Sequence, residues 1–315
     1  MQKIHVRPAS LDDTTTISDL YRQHIHVWQR INPQGQIEDV PYAALTIYER
    51  WLHGGPWMSI ETGAIHLSHL LRGAGLPVVA EIDGQVRAYT EAYVNHEPAP
   101  FGQHLSMQHP VVHASQPAHQ LEAALIAYLR EQASPLRCQR LTINLALPEH
   151  QTFYQQQGFR SLATLRRFNL PARTGQGFYR AVEHPDAHAK QIDNWSMPLG
   201  RTSSPREQWE NLWPRTWDSL PEIAQHRRIH RLEMNAAGQP ALLCCQQQLY
   251  SPRNVDIYCW SPKPLTSQLL TSIRDWAHRE GYRTLVLSVL ENTVKTLGPE
   301  AETDGYTQET YALEV

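Results

Sequence analysis

The sequence predicts an α/β protein built from two similar domains in tandem. Segments with strand-like alternation and segments with helical spacing of apolar residues follow one another along the chain. A length of 315 residues suits two domains of about 150 residues each. Three landmarks also recur at a similar spacing, namely Gly84 with Gly238, Leu141 with Leu285, and Gly158 with Gly305. Their recurrence favours a duplicated unit.

The first half reads as strands and helices in a regular order. Ser10, with Asp13 three residues later, predicts a capped helix after a first strand. Asp83-Gly84 is a strong hairpin signal. Pro117 stands where a first helical turn accepts proline. The predicted strands are 3–7, 76–82, 86–94, 105–112, 141–145 and 161–170, and the predicted helices include 42–52 and 62–71.

The second half repeats this order. Its predicted strands are 229–234, 241–250, 255–260, 285–290 and 310–315, with a helix over 266–280. An earlier helix is expected to carry Trp209, Leu212, Trp213 and Trp217. Prolines, glycines and weak apolar periodicity between Pro171 and Pro205 predict a linker. The predicted domains are therefore 1–172 and 205–315, joined by 173–204.

Composition excludes several classes of protein. With 41% apolar residues, 19% charged residues and a net charge of -3, the chain has no basic footprint for nucleic acid or an anionic membrane. No apolar run reaches the ~18 residues of a membrane span, and the first residues have no apolar signal region. We expect a cytoplasmic protein whose four cysteines are buried thiols.

The stretch from Leu141 to Phe159 carries the strongest functional signal. An apolar strand ends before Pro148, and a short helix-like segment then closes on Tyr154 and Gly158. This order places one tyrosine hydroxyl near the end of a strand, where such a group can transfer a proton.

Together with Val112-His113 at the end of the preceding strand, this stretch resembles the motifs of the GNAT superfamily of acyl-CoA-dependent N-acetyltransferases. The resemblance covers about 3–170 and, less closely, about 200–315. It implies that each domain is a twisted, mixed, mostly antiparallel sheet flanked by helices. It also implies that two strands part to admit the pantetheine arm of acetyl-CoA.

The same resemblance implies roles for individual residues. The backbone of Val112 would bind the pantetheine arm. The first N–H groups of the following helix, around Ala118, His119 and Gln120, would face the pyrophosphate, because these donors have no partner within the helix. Tyr154 would protonate the departing thiolate, since a phenol has a pKa of about 10. A buried packing role for this tyrosine is the alternative.

Several positions depart from the family pattern. Gln120 and Glu122 stand where the pyrophosphate loop has glycines, and side chains there crowd the approach to the phosphates. Leu147 replaces an asparagine of the family. In the second half, no glycine precedes the helix, and Ala301 takes the place of the tyrosine, four residues before Gly305. We therefore expect the second half to serve structure or substrate binding.

Amine acylation also needs a base that removes the ammonium proton. Glu91, on the return strand of the hairpin, and His109, on the strand that ends at Val112, are the candidates, acting directly or through water. The alternatives are an exposed strand carboxylate and a structural histidine. The histidine pairs elsewhere lack a zinc-site arrangement, so we expect no metal.

Two functional hypotheses follow. The first is an acyl-CoA-dependent N-acyltransferase that uses acetyl-CoA, or another acyl-CoA, as co-substrate. Its acceptor would be a small-molecule or peptide amine, and the protein a monomer or homodimer without nucleic-acid or membrane partners. The second is a catalytically inactive GNAT-like protein that binds another ligand or a partner.

Overall fold

A computed structural model of the chain describes residues 3–175 and 177–315. The strands of the described residues are β1 (Ile4–Pro8), β2 (Gln29–Ile31), β3 (Ile37–Asp39), β4 (Leu76–Ile82), β5 (Gln85–His96), β6 (Gln103–Met107), β7 (Val111–Val112), β8 (Arg140–Leu145), β9 (Arg160–Pro171), β10 (Tyr179–Glu183), β11 (Ser196–Leu199), β12 (Ile229–Ala236), β13 (Gln239–Gln247), β14 (Asn254–Ser261), β15 (Thr284–Leu290) and β16 (Glu302–Glu314). The α-helices of the described residues are α1 (Thr14–Arg22), α2 (Ile47–Trp51), α3 (Ile60–His69), α4 (Ala118–Ala133), α5 (Pro148–Gln156), α6 (Pro205–Leu212), α7 (Pro221–Ala224), α8 (Ser267–Arg279) and α9 (Val294–Leu297).

The chain forms two compact units, each made of several segments. Unit 1 contains the residues up to Tyr93, Met107–Gln132 and Thr216–Ala224. Unit 2 contains Val94–Ser106, Ala133–Arg215 and Gln225–Val315. The predicted domains 1–172 and 205–315 follow the repeat along the chain, whereas these units follow its compactness. The limits of the predicted domains stay a prediction.

Unit 1 is organised around an antiparallel sheet. Strand β4 pairs with β1 on one side and with β5 on the other, and the short strand β7 pairs with β5. The hairpin predicted at Asp83-Gly84 is confirmed, because both residues have positive φ, 52° and 74°, as a tight two-residue turn requires. Helices α1 and α3 cover this sheet with an apolar core that includes Ile17, Leu67 and Val79.

The single strand predicted over 105–112 is wrong, since the structure has β6 and β7 with a break at residues 108–110. Pro110 has no N–H for a strand ladder. Across the break, the Gln108 N–H donates to the Glu91 carbonyl at 2.8 Å, and the Thr90 hydroxyl donates to the Gln108 carbonyl at 2.8 Å. Gln108 therefore stays bonded to β5 within the break, and regular strand pairing with β5 resumes at β7.

Unit 2 contains a large mixed sheet with the strand order β6-β8-β16-β9-β15-β14-β13-β12-β10, and β11 pairs with β14. Strands β14 and β15 are parallel, whereas the pairs from β8 to β15 and from β14 to β10 are antiparallel. The last strand, β16, lies between β8 and β9. The mixed sheet with flanking helices confirms the predicted fold class.

The order of elements repeats along the chain, as predicted. A hairpin, a strand, a helix, a strand, a short helix and a strand occur as β4-β5, β6, α4, β8, α5, β9 and again as β12-β13, β14, α8, β15, α9, β16. One landmark of the repeat was wrong. Gly158, with φ 91°, follows α5, and the glycine that follows α9 is Gly298, with φ 79°, whereas Gly305 lies inside β16. The residue four before Gly298 is Val294, so the second half has no tyrosine there.

Three segments differ from their predicted structure. Residues 173–204, predicted as an irregular linker, contain β10 and β11, which pair with β12 and β14. The helix predicted over 42–52 starts only at α2, where Thr46 caps it by accepting a hydrogen bond from the Glu49 N–H. Helix α6 ends at Leu212, and Trp217 lies in a separate 3-10 turn, because Pro214 interrupts the helix.

No helix of the described residues is long and apolar enough to span a membrane.

Candidate functional site

A cavity of about 420 Å³ lies in unit 1 where β7 leads into α4. Such a volume lies in the range of small-molecule sites, about 300–1,000 Å³. Its wall is formed by His24, His109, Pro110, Val111, Val112, His113, Ala114, Gln116, Ala118 and Glu122. The connecting loop is held by hydrogen bonds from the His113 N–H to the Arg87 carbonyl, 2.8 Å, and from the Gln116 N–H to the His113 carbonyl, 2.9 Å. Three predicted site residues, His109, Val112 and Ala118, therefore share one cavity.

The start of α4 decides whether an anion fits at this cavity. Ala118, His119 and Gln120 are exposed, and Gln120 does not line the cavity. The Glu122 side chain is only 6% exposed and lies in the cavity wall. The N-terminal end of a helix favours negative charge, whereas a carboxylate opposes it. Of the two residues predicted to crowd a diphosphate, Gln120 and Glu122, only Glu122 lies in the cavity wall.

The carbonyl of Val112 already has partners within the chain. His24 Nε2 lies 3.1 Å from it and Gln23 Nε2 lies 3.4 Å from it. The Ala114 N–H donates to Gln23 Oε1 at 3.1 Å. Gln23 and His24 follow α1 and lie about 90 residues from Val112 along the chain, so nothing in the local motif could have shown this contact.

One ring nitrogen of His109 is held by the backbone. Its Nδ1 lies 3.1 Å from the Pro110 carbonyl. A carbonyl can only accept, so Nδ1 carries the hydrogen, and in the neutral ring the basic lone pair is on Nε2. Because His109 lines the cavity, a ligand bound there would contact this residue.

Glu91 is a buried carboxylate, 1% exposed, and it does not line the cavity. Its oxygens accept hydrogen bonds from Trp57 Nε1 at 2.8 Å, from the Tyr89 hydroxyl at 3.2 Å and from the Tyr93 hydroxyl at 2.7 Å, and His66 Nε2 lies 3.1 Å from both oxygens.

Burial by itself raises the pKa of Glu91, but the charge of His66 and the hydrogen bonds from His66, Tyr93 and Trp57 outweigh burial and hold this pKa below its ordinary value. A carboxylate with a lowered pKa and four donors binds a proton weakly. Of the two candidate bases, only His109 lines the cavity.

Tyr154 belongs to unit 2, on α5. Its side chain is 0% exposed, and its ring packs edge-on against Phe153 and Phe159, with ring centroids 5.2 and 5.4 Å apart. The Phe159 N–H donates to the Tyr154 carbonyl at 3.0 Å, which closes the turn at Gly158. The packing role is therefore observed, and the role as general acid stays a prediction.

In the second half, the loop before α8 is closed by a side chain. Gln239 is 4% exposed, and its Nε2 donates to the Ser261 hydroxyl at 3.1 Å and to the Pro264 carbonyl at 2.9 Å. Its Oε1 accepts from the Thr266 hydroxyl at 2.6 Å. The amide of Gln239 thus binds the polar groups of the loop before α8. The corresponding loop of the first half, before α4, lines the cavity instead. The sequence showed only the missing glycines, and Gln239 itself was not anticipated.

Among the described residues, no group of three or more histidine, cysteine or acidic side chains is arranged to hold a metal ion. The four cysteines are free and buried, as predicted. Burial raises the pKa of Cys138 to about 11 and that of Cys244 to about 12, so these thiols are poor nucleophiles at neutral pH.

No protein-family model and no curated protein matches this chain in sequence. Solved structures do match it in fold. A GCN5-related N-acetyltransferase from Anabaena variabilis aligns with a TM-score of 0.60 at 10% identity, over 98% of this chain and 72% of that one. A GCN5-related N-acetyltransferase from Kribbella flavida aligns with a TM-score of 0.60 at 9% identity, over 99% and 72%. Eis1 from Mycobacterium abscessus aligns with a TM-score of 0.56 at 10% identity, over 99% and 73%. The chain therefore has the fold of the GNAT N-acetyltransferases, as the sequence predicted.

Proposed function

We propose that this protein is an acyl-CoA-dependent N-acyltransferase and that the cavity at the start of α4 takes the acyl-CoA. The observation that carries the proposal is a cavity of about 420 Å³ bounded by the last residue of β7 and the first residue of α4. Pro110, Val111 and Val112 offer an apolar wall to a chain-like ligand. The exposed N-terminal end of α4 offers a favourable dipole to its phosphates. The Gln120 N–H, one of the predicted donors, already donates to the Pro117 carbonyl at 3.2 Å.

His109 is the proposed base. Bound acyl-CoA would supply the thioester carbonyl that an amine attacks. Nε2 of His109 would accept the proton that the acceptor ammonium must lose before its nitrogen can attack, directly or through one water, while Nδ1 stays bonded to the Pro110 carbonyl. An imidazole is suited to this step because one of its nitrogens can accept a proton while the other keeps its hydrogen bond. Tyr154 as the acid for the leaving thiolate stays a separate proposal, because this buried residue does not line the cavity.

The acceptor is proposed to be a small-molecule or peptide amine, and acetyl is the proposed acyl group. Both rest on the fold, which the chain shares with N-acetyltransferases. The protein is proposed to be a monomer or a homodimer, and light scattering distinguishes these two states by their mass.

Binding of acetyl-CoA tests the proposal directly. A ligand that binds only the folded state stabilises it, by about 2.7 kcal/mol at one hundred times the Kd. We expect millimolar acetyl-CoA to raise the thermal midpoint of unfolding, with adenosine as a control that lacks the diphosphate and the pantetheine arm. An unchanged midpoint with millimolar acetyl-CoA would remove the basis of the proposal.

The second hypothesis, a GNAT-like protein without transferase activity, is favoured by the Glu122 carboxylate in the cavity wall and by the internal partners of the Val112 carbonyl. The two hypotheses differ in turnover. A thermal shift with acetyl-CoA, but no release of thiol with any of a panel of amines and peptides, would favour the binding protein.

A further inference from the structure

We propose that His24 sets the affinity of the acyl-CoA site, because its imidazole competes with the ligand for the carbonyl of Val112. This inference rests on the proposed function and adds a residue that belongs to no motif of the sequence. His24 lines the cavity, and its Nε2 lies 3.1 Å from the carbonyl oxygen of Val112. Since a carbonyl only accepts, Nε2 is the donor of this bond.

The Val112 carbonyl has two lone pairs, and two side chains approach it. Gln23 Nε2 lies 3.4 Å away and His24 Nε2 lies 3.1 Å away. An amide N–H of a pantetheine arm that binds here therefore has to displace one of these two donors. Binding then exchanges one hydrogen bond for another, so the ligand gains less than it would from an unused carbonyl.

His24 is the donor that can leave. Gln23 is held by further bonds, since its Nε2 also donates to the Leu20 carbonyl at 2.9 Å and its Oε1 accepts from the Ala114 N–H at 3.1 Å. Moving Gln23 would leave two backbone groups without their partners. The His24 side chain belongs to an exposed residue, so after displacement its ring can bond to water.

The size of the effect follows from the value of one hydrogen bond. A neutral hydrogen bond contributes about 0.5–1.5 kcal/mol net, so removing the competing donor should tighten ligand binding by roughly two- to tenfold. The gain should appear with any ligand that carries the pantetheine amides, with or without a diphosphate.

The test compares His24→Ala and His24→Gln with the unchanged protein. Alanine removes the donor, whereas glutamine keeps an N–H donor on a side chain of similar reach. His26→Ala is the matched control, because His26 is exposed, lies two residues away and does not line the cavity. Dissociation constants for coenzyme A and for pantetheine are measured by calorimetry, and circular dichroism checks that each variant is folded.

We expect His24→Ala to bind both ligands roughly two- to tenfold more tightly, and His24→Gln and His26→Ala to bind like the unchanged protein. If the unchanged protein binds coenzyme A and His24→Ala binds it equally or more weakly, the inference is wrong and the proposed function stands. If neither the unchanged protein nor any variant binds coenzyme A, the proposed function fails and the inference fails with it.

Discussion

Replacing Glu91 by glutamine should strongly destabilise unit 1, because four hydrogen-bond donors surround this charged carboxylate. Glutamine has the same shape, but one oxygen becomes an NH₂ group. At the Oε1 position the NH₂ group would face Trp57 Nε1, which can only donate. We therefore expect the NH₂ group at the Oε2 position, where the Tyr93 hydroxyl can rotate and accept a hydrogen bond. At least one hydrogen bond to a charged group is then lost, and the others become bonds to a neutral group.

A hydrogen bond to a charged group contributes about 1.5–3 kcal/mol, so we expect Glu91→Gln to lower the free energy of unfolding by about 3 kcal/mol. Urea unfolding followed by circular dichroism measures the loss. Hydrogen exchange of the β5 amides shows whether it arises in unit 1. Glu131→Gln is the control, because Glu131 is exposed on α4. Its effect should stay within about 0.5 kcal/mol.

The pH dependence gives an independent check. The folded-state pKa of Glu91 lies below the unfolded value of about 4.3. The stabilisation that ionised Glu91 gives to the folded state is therefore fully present above that unfolded pKa. It is lost as the pH falls through the folded pKa. The difference between the unchanged protein and Glu91→Gln should shrink in that acidic window. A loss under about 1 kcal/mol at pH 7, or a difference that grows towards acid pH, would refute this account of the cluster.

Two further predictions concern unit 2. Gly200 has φ 78°, and a Cβ there would lie 2.1 Å from the Ile257 carbonyl oxygen, so Gly200→Ala should cost about 3 kcal/mol or more. Gly238 has the same φ with open space around it, so Gly238→Ala should cost only about 1 kcal/mol of backbone strain in the same urea assay. Equal losses for the two variants would contradict this difference. Tyr154→Phe should lower kcat while the Kd of acetyl-CoA stays nearly unchanged, measured by thiol release and calorimetry. The reverse pattern would remove this hydroxyl from the chemistry.

Local chemistry explains why much of the fold was readable from the sequence. Asp83-Gly84 can adopt the two positive φ angles of a tight hairpin turn, and the Ser10 N–H donates to the Asp13 carboxylate at 2.7 Å, as the predicted cap requires. The order of strands and helices in both halves follows from such signals and from apolar periodicity. The errors lie where local signals compete, as at the break before Pro110 and in residues 173–204, whose strands form because β12 and β14 offer partners.

The sequence by itself determined the repeated order of elements, the GNAT-like fold and the places of Val112 and Ala118 on either side of one strand-to-helix junction. Only the tertiary structure decided that Glu91 is buried among four donors, that Gln239 closes the second loop, and that His24 bonds to the Val112 carbonyl. The physical reason is the range of the interactions. Turns, caps and periodicity act within a few residues, whereas burial and these hydrogen bonds join side chains to groups that are far apart in the chain.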